Sequence, residues 1–575
     1  MSAFVRLGFE NDRCGLHRAA HPDKVFAQQI ARDFGRRTLK ERWRKHTVHG
    51  LIPQTKSRSS LLTSSNSRAA GGEWERAVSD PGFAMIDIAM NRPALPRAID
   101  FGKTARMDSP TVKRFLPWVV AMALFMEQLD STIVNTAVPS MAASLHVTPL
   151  SLKAVVASYI LSLAVCIPVS GWIADRYGTR RVFAIAIAVF TISSVFCGLA
   201  MNLPQMVAAR ILQGMGAAMM MPVGRLTVIR TFPKAELLQA MNFVIIPALI
   251  GPLLGPTVGG LIVHWFSWRE IFFVNVPAAV VALWLIHRYM PDYYGDASRP
   301  LDVMGLAQFG AGTAVLSWLL EIFGEHETDI AVEAALFLLA LTLLGAYWRH
   351  ARQTPYPLLQ LALFKVRTFR VSVIGGFITR LGVGGLPFLT PLLFQIGLGL
   401  PAWQSGMLMM PTAAAAMGMK LISTRVLGLF GYRKVLIVNT LMIGITICLY
   451  ALVTAQTPLA QIIAIGLALG FFNSLQFSSM NSMAYADIET HESSMASTIA
   501  SSFQQISMSF GLAFGSLVAA WYLGDLPQSD RLAVITALHR AFMTLGGLTI
   551  VSALSFWTLR ARDGESVSRA APDLA

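Results

Sequence analysis

Between two apolar stretches the chain reads Gly171-Trp172-Ile173-Ala174-Asp175-Arg176-Tyr177-Gly178-Thr179-Arg180-Arg181. The flanking stretches, 152–173 and 182–201, are each about as long as a bilayer-crossing helix, for which about 20 apolar residues suffice. A tight turn between two such helices needs glycine, which tolerates positive φ and close backbone approach. Asp175 is placed to meet a helix N-terminus, and the arginines are placed to bridge to neighbouring carboxylates. Lys and Arg in short loops hold those loops in the cytoplasm. The segment therefore announces an all-α integral membrane protein and a tight, basic, cytoplasmic turn.

Composition extends this reading to the whole chain. Of 575 residues 54% are hydrophobic and 14% are charged, against about 25% charged in ordinary soluble domains. The net charge of +15 raises nucleic acid as a partner, but residues 1–106 alone hold 19 Lys/Arg and 10 Asp/Glu. With most of the excess confined to one tail, the remainder has a membrane pattern, a lipid bilayer is the partner, and no nucleic acid is expected. Cys14, Cys166, Cys197 and Cys448 include no CxxC pair, and three of them sit in apolar stretches. They read as small hydrophobes, and no metal site is expected. With no P-loop, nucleophile elbow or metal-spaced His/Cys cluster, neither an enzyme nor an ATP-driven pump is indicated.

Outward from the quoted turn, apolar segments fall near 115–138, 152–173, 182–201, 204–229, 238–264, 271–290, 303–323, 331–348, 369–396, 403–423, 433–453, 459–484, 495–523 and 536–559. That predicts about fourteen spans. Arginines and lysines gather on one side: Arg230 and Lys234, Arg349, Arg352, Lys365, Arg367 and Arg370, then Arg425, Arg433 and Lys434. The opposite side is nearly uncharged or acidic, as at Glu325 and Glu327, so both termini are expected in the cytoplasm. Residues 1–106, Arg- and Ser-rich, are expected to be largely disordered. They are either a basic arm on anionic lipid or an overextended start upstream of Met107.

The quoted turn resembles the loop signature of the major facilitator superfamily, where it acts as a conformational latch formed here by Gly171, Asp175, Arg176, Gly178, Arg180 and Arg181. Arg210-Ile-Leu-Gln213-Gly214-Met-Gly216 in the fourth span resembles the family's proton-coupling motif. Gly251-Pro252-Leu-Leu-Gly255-Pro256-Thr-Val-Gly259-Gly260 in the fifth resembles its antiporter motif, which marks exporters. Physically, glycines four apart make a smooth stripe for close helix packing, and the prolines remove backbone donors and bend the segment. Leu129-Asp130-Ser-Thr-Ile-Val-Asn135-Thr-Ala-Val-Pro139 and Trp268-Arg269-Glu270-Ile-Phe272-Phe273-Val-Asn275-Val-Pro277 are similar to the fourteen-helix drug:proton antiporter subfamily of EmrB and QacA type. Met219-Met-Met-Pro222-Val-Gly224-Arg225, Leu393-Phe-Gln395-Ile-Gly397-Leu-Gly399 and Phe477-Ser-Ser-Met480-Asn481 are closest to its MdtD-like branch.

The resemblance implies two six-helix halves plus two additional helices: 107–290, a two-helix linker at 291–368, and 369–559, followed by a cytoplasmic tail at 560–575. It also implies proton-coupled export of drugs or lipophilic metabolites across the cytoplasmic (inner) membrane, with the proton gradient as energy source, no cofactor, and a periplasmic adaptor as a candidate partner. A faint internal echo, Gly178-Thr-Arg180-Arg181 against Gly431-Tyr-Arg433-Lys434, lacks the Gly-x3-Asp-Arg lead in its second copy.

Candidate site residues follow from charge at membrane depth, which is costly and normally functional. Glu127 and Asp130 are three apart on one helix face. Two carboxylates that close, away from water, should not both ionise readily, as a proton carrier requires. Asp130 is the expected principal proton site, with Glu127 and Arg210 as partners in coupling. Gln213, Arg225, Arg380, Asn473, Gln476, Asn481, Gln504 and Gln505 are candidates for the substrate cavity. Arg225 and Arg380 also favour an alternative: efflux of an organic anion such as a carboxylate metabolite or metal chelate.

Overall fold

A computed structural model describes residues 110–295, 300–322, 329–489, 492–524, 526–528, 530–560 and 563–564. The readings placed on residues 1–106, on the acidic loop with Glu325 and Glu327, and on nearly all of 560–575 lie outside the described residues. All regular structure among the described residues is helical. The crossing helices are α1 (Pro110–Leu145), α2 (Lys153–Tyr177), α3 (Thr179–Leu199), α4 (Leu203–Thr231), α5 (Lys234–Trp265), α6 (Glu270–Tyr289) and α7 (Val303–Ile322). They continue with α8 (Ile330–Gln353), α9 (Arg367–Gly397), α10 (Ala402–Phe430), α11 (Tyr432–Tyr450), α12 (Leu459–Ala484), α13 (Ser493–Leu523) and α14 (Arg531–Ser552).

Twelve of these spans are long and apolar enough by composition alone to cross a membrane. The other two are α5, whose Leu249–Trp265 portion is apolar, and α1, 36 residues long. In α1 the polar run of Glu127, Gln128 and Asp130 dilutes the apolar signal. The helix that looks least like a membrane span is thus the one that carries buried acids.

Single glycines turn the chain at two equivalent places. Gly178, with φ of 92°, is the one residue between α2 and α3, and Gly431, with φ of 74°, is the one between α10 and α11. An L side chain rarely adopts that conformation, which is why both copies of the echo keep the glycine. Asn202, Asp329 and Asp530 start α4, α8 and α14 by accepting backbone N–H bonds at their first turns.

Helices α1 to α6 pack among themselves, as do α9 to α14, and α7 pairs with α8. The two groups meet through α5 against α10 and α2 against α13. On the face opposite the arginine-rich loops, one continuous apolar core joins both groups, with Val138, Leu145 and Leu152 against Phe388, Leu392 and Leu523. Toward the arginine-rich face there are separate cores around Leu116, Phe183 and Val228 and around Met419, Leu427 and Phe556, while a third joins Val169 of α2 with Phe309 of α7, Phe369 of α9 and Ile499 of α13. There Arg225 on α4 and Lys420 on α10 are exposed and within electrostatic reach of each other. The groups are therefore joined through one continuous core at one face, and at the other they stay linked along α2 and α13 while Arg225 on α4 and Lys420 on α10 are left exposed across a cleft.

Helix α9 is the least regular element. It contains π-helical turns at Val371–Gly375 and Leu393–Gly397 and a break at Gly384 and Gly385. A Cβ on either of these glycines would meet the Cα of Gly511 or Gly515 on α13 at 3.0 and 3.1 Å. The break thus lets two backbones touch where any side chain would hold them apart.

Candidate functional site

The centre of the first group is a buried polar cluster. Asp130 on α1 and Arg210 on α4 are both fully buried, and Nη1 of Arg210 lies 2.6 Å from Oδ2 of Asp130. Oδ1 of Asp130 accepts from Gln213 at 2.9 Å and from Asn275 on α6 at 3.0 Å. Arg210 also donates to Oε1 of Gln213 at 2.8 Å and to the carbonyl of Val155 on α2 at 3.3 Å. Its guanidinium carbon lies 4.2 Å from the ring centroid of Tyr159, a cation–π contact that strengthens when desolvated. Asn275 reaches on to Ser194, which donates to the carbonyl of Phe272. Four helices, α1, α2, α4 and α6, are thus tied at one point around the Asp130–Arg210 pair.

Glu127, one turn away on α1, is 4% exposed, and its Oε2 has no hydrogen-bond partner. It lies within electrostatic reach of both Asp130 and Arg225. The acids that share a helix face therefore have different surroundings: Asp130 is paired, whereas Glu127 is buried without that pairing.

Behind the acids, the glycine stripe of α5 lies on α1. A Cβ on Gly251 would stand 2.7 Å from Cβ of Gln128, and one on Gly255 would enter the side chain of Thr132. One on Gly259 would press on the Ile133 carbonyl and Thr136. Gly260 faces the Ala402 carbonyl of α10, and Gly406 faces the Pro256 carbonyl of α5. Thr257 donates to the Gly406 carbonyl at 3.3 Å. The Gly-Pro segment is thus a double contact, joining α5 to α1 within its own group and to α10 across the seal.

At the α2–α3 turn, Asp175 pairs with Arg230 at 2.8 Å, with both side chains about one-third exposed. The helix N-terminus expected for Asp175 is occupied instead by Asp292, which accepts from the backbone N–H of Arg180 at 3.0 Å. Arg230 at the end of α4 is nearer to Asp175, so the sequence expectation is corrected. Arg180 donates to the His287 carbonyl, Arg176 lies over Trp172, and Arg181 is exposed. A Cβ on Gly178 would collide with Asp292, whereas Gly171 has no atom within 4 Å of where its Cβ would be.

The cavity candidates divide. Gln213 is fully buried in the Asp130 cluster, and Gln476 is 1% exposed, accepting from Asn439 and donating to Thr440. Both amides are consumed by helix-to-helix bonds, which corrects their reading as cavity groups. Arg225 and Asn473 are exposed, and Asn481, Gln504 and Gln505 are partly exposed. Arg380, Asn481 and Gln504 line one recess together with Ser372. Sequence reasoning gave no role to Asn275, Tyr159, Ser194, Asp292 or Ser372. Asn275 lay inside a quoted motif, but the others carry no local signal.

The Major Facilitator Superfamily model matches residues 120–512. The chain is 37% identical over 451 residues to "Putative multidrug resistance protein MdtD" of Pectobacterium atrosepticum, covering 78% of this chain and 95% of that one. It is 40% identical over 454 residues to the protein of that name from Enterobacter sp., covering 78% and 94%. The chain belongs to the major facilitator superfamily. Within the superfamily it lies in the MdtD-like branch, and it is a multi-pass membrane transporter, not an enzyme. Solved structures carry the same fold at low identity. A D-xylose-proton symporter matches at TM-score 0.57 and 15% identity, covering 78% of this chain and 98% of that one. A bacterial homologue of the human lysosomal transporter Spinster, inward-facing and unoccupied, matches at TM-score 0.57 and 13% identity, covering 80% and 98%.

Proposed function

We propose that this chain exports small lipophilic molecules, drugs or metabolites, in exchange for protons. The observation that carries the reading is Asp130, a fully buried carboxylate whose one charge holds Arg210, Gln213 and Asn275. A proton on Asp130 removes that charge, frees the guanidinium and loosens α1 from α4. Because α1 lies on the glycine stripe of α5, and α5 on α10, the loosening reaches the seal between the two groups. Glu127, with an oxygen left without a partner, is the acid that passes the proton between cleft and cluster. The multidrug resistance named for the relatives supports drugs as substrates, and the proton gradient is the energy source, with no cofactor.

The arginine-rich face lies in the cytoplasm, both termini with it, in the inner membrane. The cleft toward that face is then the entry for substrate, and the asymmetry of loop charge supports this orientation. The latch around Asp175 and Arg230 holds α2 to α4 during the cycle. A periplasmic adaptor, if one is used, docks on the sealed face.

Everted vesicles with an imposed pH gradient test the reading. Asp130→Asn abolishes gradient-driven drug uptake while Glu127→Gln slows it and shifts its pH optimum. Uptake by Asp130→Asn at the wild-type rate refutes the role given to Asp130, and loss of uptake in Glu127→Gln alone reverses the two roles.

A further inference from the structure

The second group of helices holds a charge with no counter-charge. Arg380 lies in the middle of α9, and its side chain makes no hydrogen bond or ion pair among the described residues. Its protein contact of note is with an aromatic face, the guanidinium carbon standing 5.6 Å from the Phe477 ring centroid. Room for it comes from Gly376 one turn earlier, where a Cβ would lie 2.7 Å from Nη1 of Arg380. The guanidinium lines a small, half-open recess shared with Ser372, Asn481 and Gln504.

The groups facing Arg380 are also unspent. Oγ of Ser372 is buried with no hydrogen-bond partner, although a serine in a helix commonly bonds back to a carbonyl one turn earlier. The side-chain amides of Asn481 on α12 and Gln504 on α13 make no hydrogen bond among the described residues. This contrasts with Gln476, five residues before Asn481 on the same helix, whose amide accepts from Asn439 and donates to Thr440 of α11. Buried polar groups are normally paired, so the open hydroxyl of Ser372 is the anomaly, and the guanidinium and the two amides beside it are partly exposed. A cationic fork, a hydroxyl and two amides left open around one recess therefore mark a site whose partner is a ligand.

The sign of that ligand follows from the contrast with the first group. There the buried arginine already has its carboxylate, as Arg210 with Asp130. Among the described residues lining the Arg380 recess there is no Asp or Glu. A guanidinium stays charged in any protein environment and offers donors in a fixed fork that fits a carboxylate.

We propose that Arg380, with Ser372, Asn481 and Gln504, forms an anion subsite in the second group that receives one compact anionic group, carboxylate-like in size. The group comes either from the exported molecule or from a free inorganic anion. The proposal rests on the transport reading and names the chemistry of one end of what is carried. Lipophilic substrates would lie in the cleft with their anionic end at Arg380, away from the acids of α1. Cationic substrates would gain nothing from this recess.

The test is equilibrium binding to the full chain in lipid nanodiscs, with no pH gradient, of three probes on one skeleton: 1-naphthaleneacetate, its amide and 1-naphthylmethylammonium. The wild type binds the acetate at least tenfold more tightly than the amide and the ammonium. In Arg380→Gln that preference falls below threefold, and Arg380→Lys recovers part of it. Gly376→Ala, which displaces the guanidinium, lowers it as well. Sodium chloride titrated into a low-salt buffer free of carboxylates separates the sources: displacement of the acetate means that a free inorganic anion enters the subsite, and no displacement means that the organic carboxylate is selected. Where Arg380→Gln does not yield monodisperse protein, Asn481→Leu with Gln504→Leu keeps the charge and weakens acetate binding three- to tenfold. Equal binding of acetate and amide by the wild type, or an undiminished preference in Arg380→Gln or in the double leucine variant, overturns the proposal. Selective binding of the acetate by a chain that exports none of the probes in everted vesicles would instead count against the export reading and leave the subsite standing.

Discussion

Replacing Asp130 by Asn tests whether the Asp130–Arg210 pair is an energetic unit. The amide keeps the shape and an acceptor for Gln213 and Asn275, but it leaves Arg210 charged and fully buried with no counter-charge. Bonds to a charged acceptor are worth about 1.5–3 kcal/mol each, and bonds between neutral groups about 0.5–1.5. Breaking one member out of a buried ion pair costs about 3–5 kcal/mol, because the survivor is left uncompensated. Cation–π contact with Tyr159 and the bond to Val155 O offset part of this, so the expected loss is about 3 kcal/mol. Arg210→Gln is milder, about 1–2 kcal/mol, since a carboxyl can neutralise itself by protonation and a guanidinium cannot. The double variant has no buried charge left and lies within about 1.5 kcal/mol of wild type, as neutral replacements of buried pairs do. Unfolding by SDS titration in mixed micelles at fixed pH measures all four proteins. Additivity within about 0.5 kcal/mol would mean that the two sites are independent, and the account of four helices held through one carboxylate would be wrong.

Three further outcomes are expected. Gly255→Val drives a side chain into Thr132 and lowers stability by about 1–3 kcal/mol, whereas Gly171→Ala, inside α2 with no atom within 4 Å, leaves the unfolding midpoint unlowered or raised by helix propensity; a fall as large as that of Gly255→Val in the same SDS titration refutes the contact map of the α1–α5 stripe. Gly178→Ala combines a φ of 92° with a collision against Asp292 and costs at least about 1–2 kcal/mol, readable as a lower thermal midpoint in detergent. Asp302, just before α7, is half-buried, which works against its charge, but bonds from Gly305 N–H, His350 and Leu358 N–H hold its carboxyl below the usual range; its contribution is therefore present above the unfolded value of about 4 and lost as pH falls through the folded value. Asp302→Asn accordingly destabilises the α7–α8 pair at pH 7 and flattens the fall in thermal midpoint below about pH 4; an unchanged acid limb in the variant excludes Asp302 as its source.

Much of the fold was legible because the bilayer imposes it. A chain with few charges and repeated apolar runs of bilayer length has few solutions, and the fourteen runs correspond to fourteen helices with ends displaced by a few residues. The first run shows how the limits arise: it was placed at 115–138, whereas α1 extends from Pro110 to Leu145, since helix continues into polar residues that hydropathy cannot follow. The irregularity of α9 was not legible either. Its π-turns and broken backbone depend on Gly384 and Gly385 meeting Gly511 and Gly515, a relation across more than a hundred residues. At the site, charge at membrane depth found Asp130, Glu127, Arg210 and Arg380, because each is too costly there to be incidental. What it could not assign was the partner of each: Asp130 and Arg210 are 80 positions apart, and Asp130 and Asn275 are 145 apart. Amides carry still less information, since Gln476 and Asn481 look alike in sequence, yet one is bonded between helices and the other faces a recess.

The same comparison explains why the two groups of helices are not functionally equivalent despite the echo at Gly178 and Gly431. In the first group the buried arginine is matched by a carboxylate. In the second, Arg380 has no such match, so its state depends on what enters the recess. In the proposed cycle, protonation of Asp130 and occupation of the Arg380 recess are separate events on opposite sides of the α5–α10 and α2–α13 contacts. Each changes the balance of charge within its own group. A seal made of those contacts responds to both, because α5 bears on α1 through glycines with no side chain to absorb movement, and α13 bears on α9 in the same way. Close glycine packing at both places makes the seal stiff, and that stiffness lets a charge change at depth be felt at the interface.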